Sequence, residues 1–435
     1  MEYFRDGRDW FFQKRYGMFI HWGLYAIGGF HEQEQFRKNI SRKEYAAYQK
    51  QFYPTKFDPR QWIRTAKACG MEYMVFTTKH QDGFCMWDTA YTDFNCMNTP
   101  YGKDILKELA DACHEENFPL LLYYCITDNH HPNYPNRGIG HELPMPQEND
   151  HPDTLKYLDY VRNQIRELCT KYGTIHGIFW DVNHLDYYDE SFNWLVRDLQ
   201  PNAVVNGRGF DCGDYNTPER EFNEGDLQVQ RRFVTPTEAC QSVGIHSWGY
   251  KTDEEFYSSK FLMQSMDRIL AMGGNYLLNV GPTPEGELDA RGLQILQKIA
   301  DWKMRTKEAF YDAVPVSDAL KSRDMFATCR DNDLYIHFYK DPVGTSVELV
   351  PLEMLPEQAI LLNDGRPLTI CRSQGTKLWT SPMEYVRVCG LPTDAFCNEV
   401  MIVKLHYKHL PRMVRELRDN WELQEPAPIK QQMDV

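Results

Sequence analysis

Long apolar runs are missing from this 435-residue chain. No stretch approaches the roughly 20 apolar residues that cross a bilayer, so no membrane-spanning role is expected. The first residues, MEYFRDGRDWFFQKRYGMFIHWG, carry charges at Glu2, Arg5, Asp6, Arg8 and Asp9 with no apolar core behind them. They do not read as a secretory signal, and the expected location is the cytosol. Clustered positive charge is missing too. Against 48 Lys and Arg stand 62 Asp and Glu, a net charge of −14, and no basic stretch is present to track phosphates. Nucleic acid and anionic membranes are therefore not expected partners. The 12 cysteines are scattered singly without Cys-x-x-Cys pairs; zinc-ligand spacing is absent, and they read as reduced core thiols. No glycine-rich phosphate loop follows the first candidate strand, and no internal repeat or low-complexity segment is present.

What the chain does have is aromatic residues, 14% of the total, with 10 Trp and 26 Tyr. Such a composition suits a bulky core, and it equally suits a surface that meets flat apolar faces such as those of sugar rings. Short apolar runs at 17–23, 72–80, 118–125, 177–183, 203–208 and 275–281 are bounded by Gly, Pro or Asn and read as buried strands. Between them, 60–69, 103–116, 154–172 and 289–305 show apolar residues at helical spacing. Alternating β and α elements predict a parallel sheet. Their number predicts an α/β fold of (β/α)8-like TIM-barrel form over residues 1–312, a doubly wound open sheet being the alternative. Beyond 312 the helical pattern stops. Candidate strands at 333–339, 345–352, 358–364 and 400–407 predict an antiparallel β-sandwich domain over 313–408. Residues 409–435 read as a charged tail with a short helix.

The stretch GIFWDVNH, 177–184, carries a carboxylate, Asp181, at the end of a strand that reads as buried. In a (β/α)8 barrel that end of every strand faces the active site. The other candidate strands and the segments near them present the same kind of residue there: His21 and Trp22, then His80, Gln81 and Asp82, then Tyr123 and Tyr124, then Asn206 and Arg208, then Glu238, His246, Trp248 and Asn279. Each has an ordinary structural reading. An Asp after a strand commonly caps the next helix, and a single His can be a satisfied core residue. Coincidence across neighbouring strands favours a pocket for a neutral polyhydroxylated ligand, with aromatic faces for C–H surfaces and side-chain donors and acceptors for hydroxyls.

The stretches YGMFIHWG (16–23), MEYMVFTTKHQDGFCMWDT (71–89), GIFWDV (177–182), TEACQSVGIHSWGY (237–250) and GGNYLLNVGPTPEGELD (273–289) resemble glycoside hydrolase family 29, the retaining α-L-fucosidases. The likeness keeps the family's order over roughly residues 10–310 and implies the barrel with a β-sandwich behind it. It implies Asp181 as nucleophile and Glu238 as general acid/base. Glu219, Glu221 and Glu224 are alternatives for the second role, because branches of the family place that residue at different points. It further implies His21, Glu32, His80, Tyr124 and Arg208 around the fucose, with Trp248 belonging to the motif. Gln81 stands where the family usually has a second histidine or a glutamate, Gln33 where it often has an aromatic, and TEAC lacks the usual tryptophan.

The implied chemistry is exo-hydrolysis of a terminal α-L-fucosyl linkage with retention, through a fucosyl-Asp ester and without metal or organic cofactor. The substrate would be a fucosylated oligosaccharide or glycoconjugate. One carboxylate attacks while a second, about 5–5.5 Å away, first gives a proton to the leaving oxygen and then activates water. Phe179 or Trp248 is expected to face the C6 methyl of fucose. Transfer of the sugar to another sugar, and a catalytically impaired carbohydrate-binding protein on the same fold, remain as further readings.

Overall fold

The computed structural model describes residues 3–144, 146–220, 231–350, 352, 354–374 and 384–424. Strands β1 (Tyr16–Ile20), β2 (Tyr73–Lys79), β3 (Leu120–Cys125), β4 (Gly177–Asp181), β5 (Val204–Val205), β6 (Glu238–Ser242) and β7 (Asn275–Val280) form one parallel sheet. Its order is β5-β4-β3-β2-β1-β7-β6. The crossover helices begin where the local sequence says they should. Asp58, Asp104, Asp153, Ser258 and Asp289 each accept a backbone N–H of the first turn, and Pro59 occupies the first turn of its helix.

Strands β1 to β4 and β7 are buried along nearly their whole length, and their sequences are mostly apolar, whereas β6, Glu-Ala-Cys-Gln-Ser, is buried but largely polar. The two-residue period of a strand nonetheless sorts the side chains into two cores. Met18, Ile20, Met74, Phe76, Leu122, Tyr124, Ile178, Trp180 and Leu278 pack outward against the helices. Phe19, Tyr73, Val75, Leu121, Tyr123, Phe179, Cys240 and Leu277 pack together inside the curled sheet, joined by Phe11, Phe12 and Tyr215 from outside it.

The sheet has seven strands where eight were expected. The place between β5 and β6 is taken by the segment around 215–220, which forms isolated bridges instead of a ladder: Asn206 to Tyr215, Asn216 to Thr237 and Glu219 to Cys240. TPERE, at 217–221, has neither the β-branched run nor the alternation that would make it a regular strand.

From Val314 onward the chain is antiparallel. One sheet comprises β8 (Val314–Pro315), β9 (Phe326–Arg330), β10 (Asp333–Phe338), β12 (Gln358–Leu361) and β15 (Met401–His406); the other comprises β11 (Ser346–Leu349), β13 (Thr369–Gln374) and β14 (Glu384–Cys389). Leu334, Ile336, Leu361 and Val403 from the first share a core with Leu349, Val386 and Val388 from the second. The expected tail begins with a helix, Arg412–Asp419, whose Val414 is buried in that core. Among the described residues no helix is long and apolar enough to cross a membrane.

Candidate active site

Alternation along β4 answers why a carboxylate ends a buried strand. Phe179 points inward and Trp180 outward, where its indole N–H donates to Asn193 Oδ1 at 2.8 Å. Asp181 therefore points inward again, with its side chain 13% exposed at the open end of the sheet. Beside it, β3 runs in register with Tyr123 opposite Phe179 and Cys125 opposite Asp181. The Tyr123 hydroxyl donates to Asp181 Oδ2 at 2.5 Å. Arg208, just beyond β5, places Nη2 2.9 Å from Asp181 Oδ1. Burial opposes the charge of Asp181, but the Arg208 guanidinium, the Tyr123 hydrogen bond and the nearby His80 and His21 outweigh it and hold the carboxyl below its ordinary range. The next residue, Val182, has φ +49°. A β-branched residue in the left-handed region is strained, and such strain persists where surrounding structure imposes it. Its carbonyl is fixed by the Thr127 hydroxyl at 2.9 Å.

Asp181 lines a pocket with Phe19, His21, Glu32, His80, Gln81, Tyr123, Phe179, Arg208 and Trp248, and with Gln33, His141, Val182, Glu219 and Cys240. His21 Nδ1 lies 2.7 Å from Asn279 Oδ1. The Asn279 amide N–H2 donates to the Trp248 carbonyl, so its oxygen must accept, and the His21 ring keeps Nε2 free. Glu32 divides its work between two oxygens. Oε2 accepts from the Ser247 hydroxyl at 2.8 Å and the Trp248 N–H at 2.8 Å, while Oε1 is buried without a partner. Burial would raise the Glu32 pKa, but His31, then His80 and His21, lower it well below the usual carboxylate range. His80 is the reverse case: burial, helped by His21, pushes it down to about 3, so its imidazole is neutral at ordinary pH. Both polar ends of the Gln81 amide are buried and unpartnered, which is what a residue awaiting a ligand hydroxyl should show.

Exposure divides this lining. His21, Glu32, His80, Gln81 and Tyr123 are fully buried at the base, whereas Gln33, His141, Arg208, Glu219 and Trp248 are more open and form the mouth. Glu219 reaches the mouth from the irregular segment beside β6. It is paired with Arg208 Nη1, so one guanidinium bridges Glu219 and Asp181.

Two expected site residues lie elsewhere. Tyr124 faces the helices; its hydroxyl donates to Gln164 Oε1 at 2.7 Å and Lys79 Nζ stands 4.3 Å from its ring centroid. Its neighbour Tyr123 holds the pocket position, and the run LLLYYC, apolar on both faces, does not distinguish them. Glu238 is the first residue of β6, not the last; it pairs with Asn275 at the start of β7, and its side chain accepts from Tyr73 at the start of β2. It therefore sits at the closed end of the sheet, fully buried, where burial pushes its pKa up to about 8. Glu221 and Glu224 lie outside the described residues. Of the other strand-end residues, Asp82 accepts from Tyr45 and from the Phe84 N–H, Asn206 fastens β5 to the Trp180 backbone, and His246 is exposed. His141, from the loop after β3, and Phe19, inside β1, are lining residues that no sequence pattern singles out.

A family model for Alpha-L-fucosidase matches residues 4–308. Tissue alpha-L-fucosidase of Rattus norvegicus is 25% identical over 429 residues, covering 89% of this chain and 87% of that protein. Among solved structures, alpha-L-fucosidase isoenzyme 1 from Paenibacillus thiaminolyticus is 31% identical, with a TM-score of 0.80 over 92% of this chain and 99% of its own. A GH29 alpha-L-fucosidase from Bacteroides thetaiotaomicron, trapped as a covalent intermediate with 2-fluoro-fucosyl fluoride, is 25% identical, with a TM-score of 0.73 over 92% of this chain and 95% of its own. The pocket at the open end of the parallel sheet and the match over most of the chain agree: this protein belongs to the alpha-L-fucosidase family of glycoside hydrolases.

Proposed function

We propose that the protein removes terminal α-L-fucosyl residues from glycans or glycoconjugates with retention of configuration, with Asp181 as nucleophile and Glu219 as general acid/base. The observation that carries this reading is the pair of carboxylates held on one guanidinium at the mouth of an otherwise enclosed pocket. Carboxyls bridged in this way are close neighbours, which suits the roughly 5–5.5 Å of a retaining pair better than the wider spacing that leaves room for a water. Asp181, kept charged by Arg208 and Tyr123, attacks the anomeric carbon from the wall of the pocket. Glu219, at the solvent side, gives its proton to the leaving oxygen and then takes one from water as the ester is hydrolysed. Phe19, Phe179 and Trp248 supply apolar surface for the C6 methyl. Glu32 Oε1, His80 and Gln81 offer unpartnered polar atoms to the ring hydroxyls. The covalent intermediate trapped in the Bacteroides thetaiotaomicron enzyme supports the ester step. Incubation with 2-fluoro-fucosyl fluoride is expected to leave one 2-fluoro-fucosyl ester on Asp181, with loss of the anomeric fluoride, by peptide mass spectrometry. NMR during hydrolysis of an aryl α-L-fucoside should show α-L-fucose as the first product. Release of the β-anomer first, or an adduct on another residue, contradicts the reading.

The adjacent tyrosines test the inward face of β3. Tyr123→Phe removes a charge-assisted hydrogen bond worth ~1.5–3 kcal/mol, and kcat/KM should fall about 10- to 100-fold. Without that donor the Asp181 carboxyl titrates higher, so the acid limb of the kcat/KM profile should move to higher pH. Tyr124→Phe should cost only ~1 kcal/mol of stability and leave both kinetic features alone.

A further inference from the structure

Arg220, the residue after Glu219, is fixed from several directions although the chain around it is irregular. Its φ is +51°, a conformation an arginine rarely adopts. Its N–H donates to the Cys240 carbonyl at 2.8 Å, and its own carbonyl accepts from Gln241 Nε2 at 3.2 Å. The guanidinium donates to the Ile245 carbonyl at 2.5 Å and lies 4.8 Å from the centroid of the Trp248 ring. Trp248 is anchored on its other side, through its N–H to Glu32 and its carbonyl to Asn279.

We infer that Arg220 is a positioning residue that sets the Glu219 carboxyl against the Trp248 wall across the pocket mouth, an inference that rests on Glu219 being the acid/base. The segment carrying Glu219 has only isolated bridges to β6, and no regular ladder fixes its height or twist. Arg220 supplies the missing constraint twice. Its backbone bonds, made in a left-handed conformation, pin the residue after Glu219 to β6. Its side chain then stacks on the aromatic ring that the sugar also meets, so the proton donor and the sugar-facing wall share one support. A guanidinium over an indole is held by charge and by planar contact together, which a lysine reproduces only in part.

The test is kcat/KM across aryl α-L-fucosides of rising leaving-group pKa, for Arg220→Gly, Arg220→Lys and Glu219→Gln. Glycine accepts the positive φ and keeps the backbone bonds, so Arg220→Gly removes the guanidinium without forcing a new backbone conformation. The expected result is a tilt: a fall of about tenfold or more for the poorest leaving group, about twofold or less for the best, and a smaller tilt of the same sign for Arg220→Lys. A uniform fall with raised KM would mean that Arg220 serves only the Trp248 wall, and unchanged kinetics would mean that it serves neither; both overturn the inference. A steep Glu219→Gln profile beside flat Arg220 profiles sinks the positioning role alone, whereas a flat Glu219→Gln profile sinks the acid/base assignment beneath it. Should Arg220→Gly fail to fold, Arg220→Lys decides by the same criterion.

Discussion

Asp181→Gly should fold like the native protein and lose hydrolysis of aryl α-L-fucosides by roughly three orders of magnitude or more, the scale expected when a covalent nucleophile is removed. Azide should then restore part of the turnover on a substrate with a good leaving group. The small anion enters the space of the lost carboxylate, attacks from the same side and yields β-L-fucosyl azide. Arg208 and Tyr123, which steady Asp181 in the native enzyme, remain to receive the anion. Near-native turnover, or an azide product of α configuration, would exclude Asp181 from the attacking role.

Glu219→Gln and Glu238→Gln should part company completely. The first should slow poor leaving groups by about 100-fold or more while sparing activated aryl fucosides, because only the former need a proton. The second should leave kcat/KM within about twofold, since Glu238 is at the far end of the sheet and already uncharged at neutral pH. Its signature is stability against pH. Burial raises its folded pKa to about 8 from the 4.5 ordinary for a glutamate. Unfolding therefore releases a proton between those values, and the stabilisation present below pH 4.5 is lost as pH rises toward 8, at up to ~1.4 kcal/mol per pH unit. Glutamine keeps the partner of Tyr73 without that proton. The Glu238→Gln protein should gain on the native one steadily over this window in chemical denaturation. A constant difference across the window would show that Glu238 is not buried as a neutral acid.

Asp181 and Glu238 mark where the sequence is legible. Asp181 ends an apolar run, and a residue ending a parallel strand points to the site by topology alone. Glu238 matches a motif, but it begins its strand, and the short segment TEAC does not reveal which end of the sheet it occupies. Tyr123 and Tyr124 fail differently. In a strand buried on both faces neither parity is polar, so only the register with β4 selects the inward ring. His21, His80 and Gln81 were readable because polar residues at the ends of apolar runs have few structural uses there. His141 was not, because it arrives on a loop whose path depends on tertiary contacts such as Arg42 to Asp150. In the second domain, the regular apolar strands were visible, while β9, β13 and β14, with their polar and charged residues, were not.

The seam between β5 and β6 divides the proposed catalytic pair by mechanical kind. Asp181 belongs to a continuous ladder, so a length change near it would have to propagate through β3 and β5. Glu219 belongs to a stretch with no ladder to disturb. Insertions and deletions there leave the attacking carboxylate where it is, and a different stretch of chain can be laid along the same edge of β6 to present the proton donor. Selection on such a scaffold would keep the nucleophile at one alignment column and let the donor wander. Across homologues, the second carboxylate should therefore be sought by its place against β6 rather than by its neighbours in sequence.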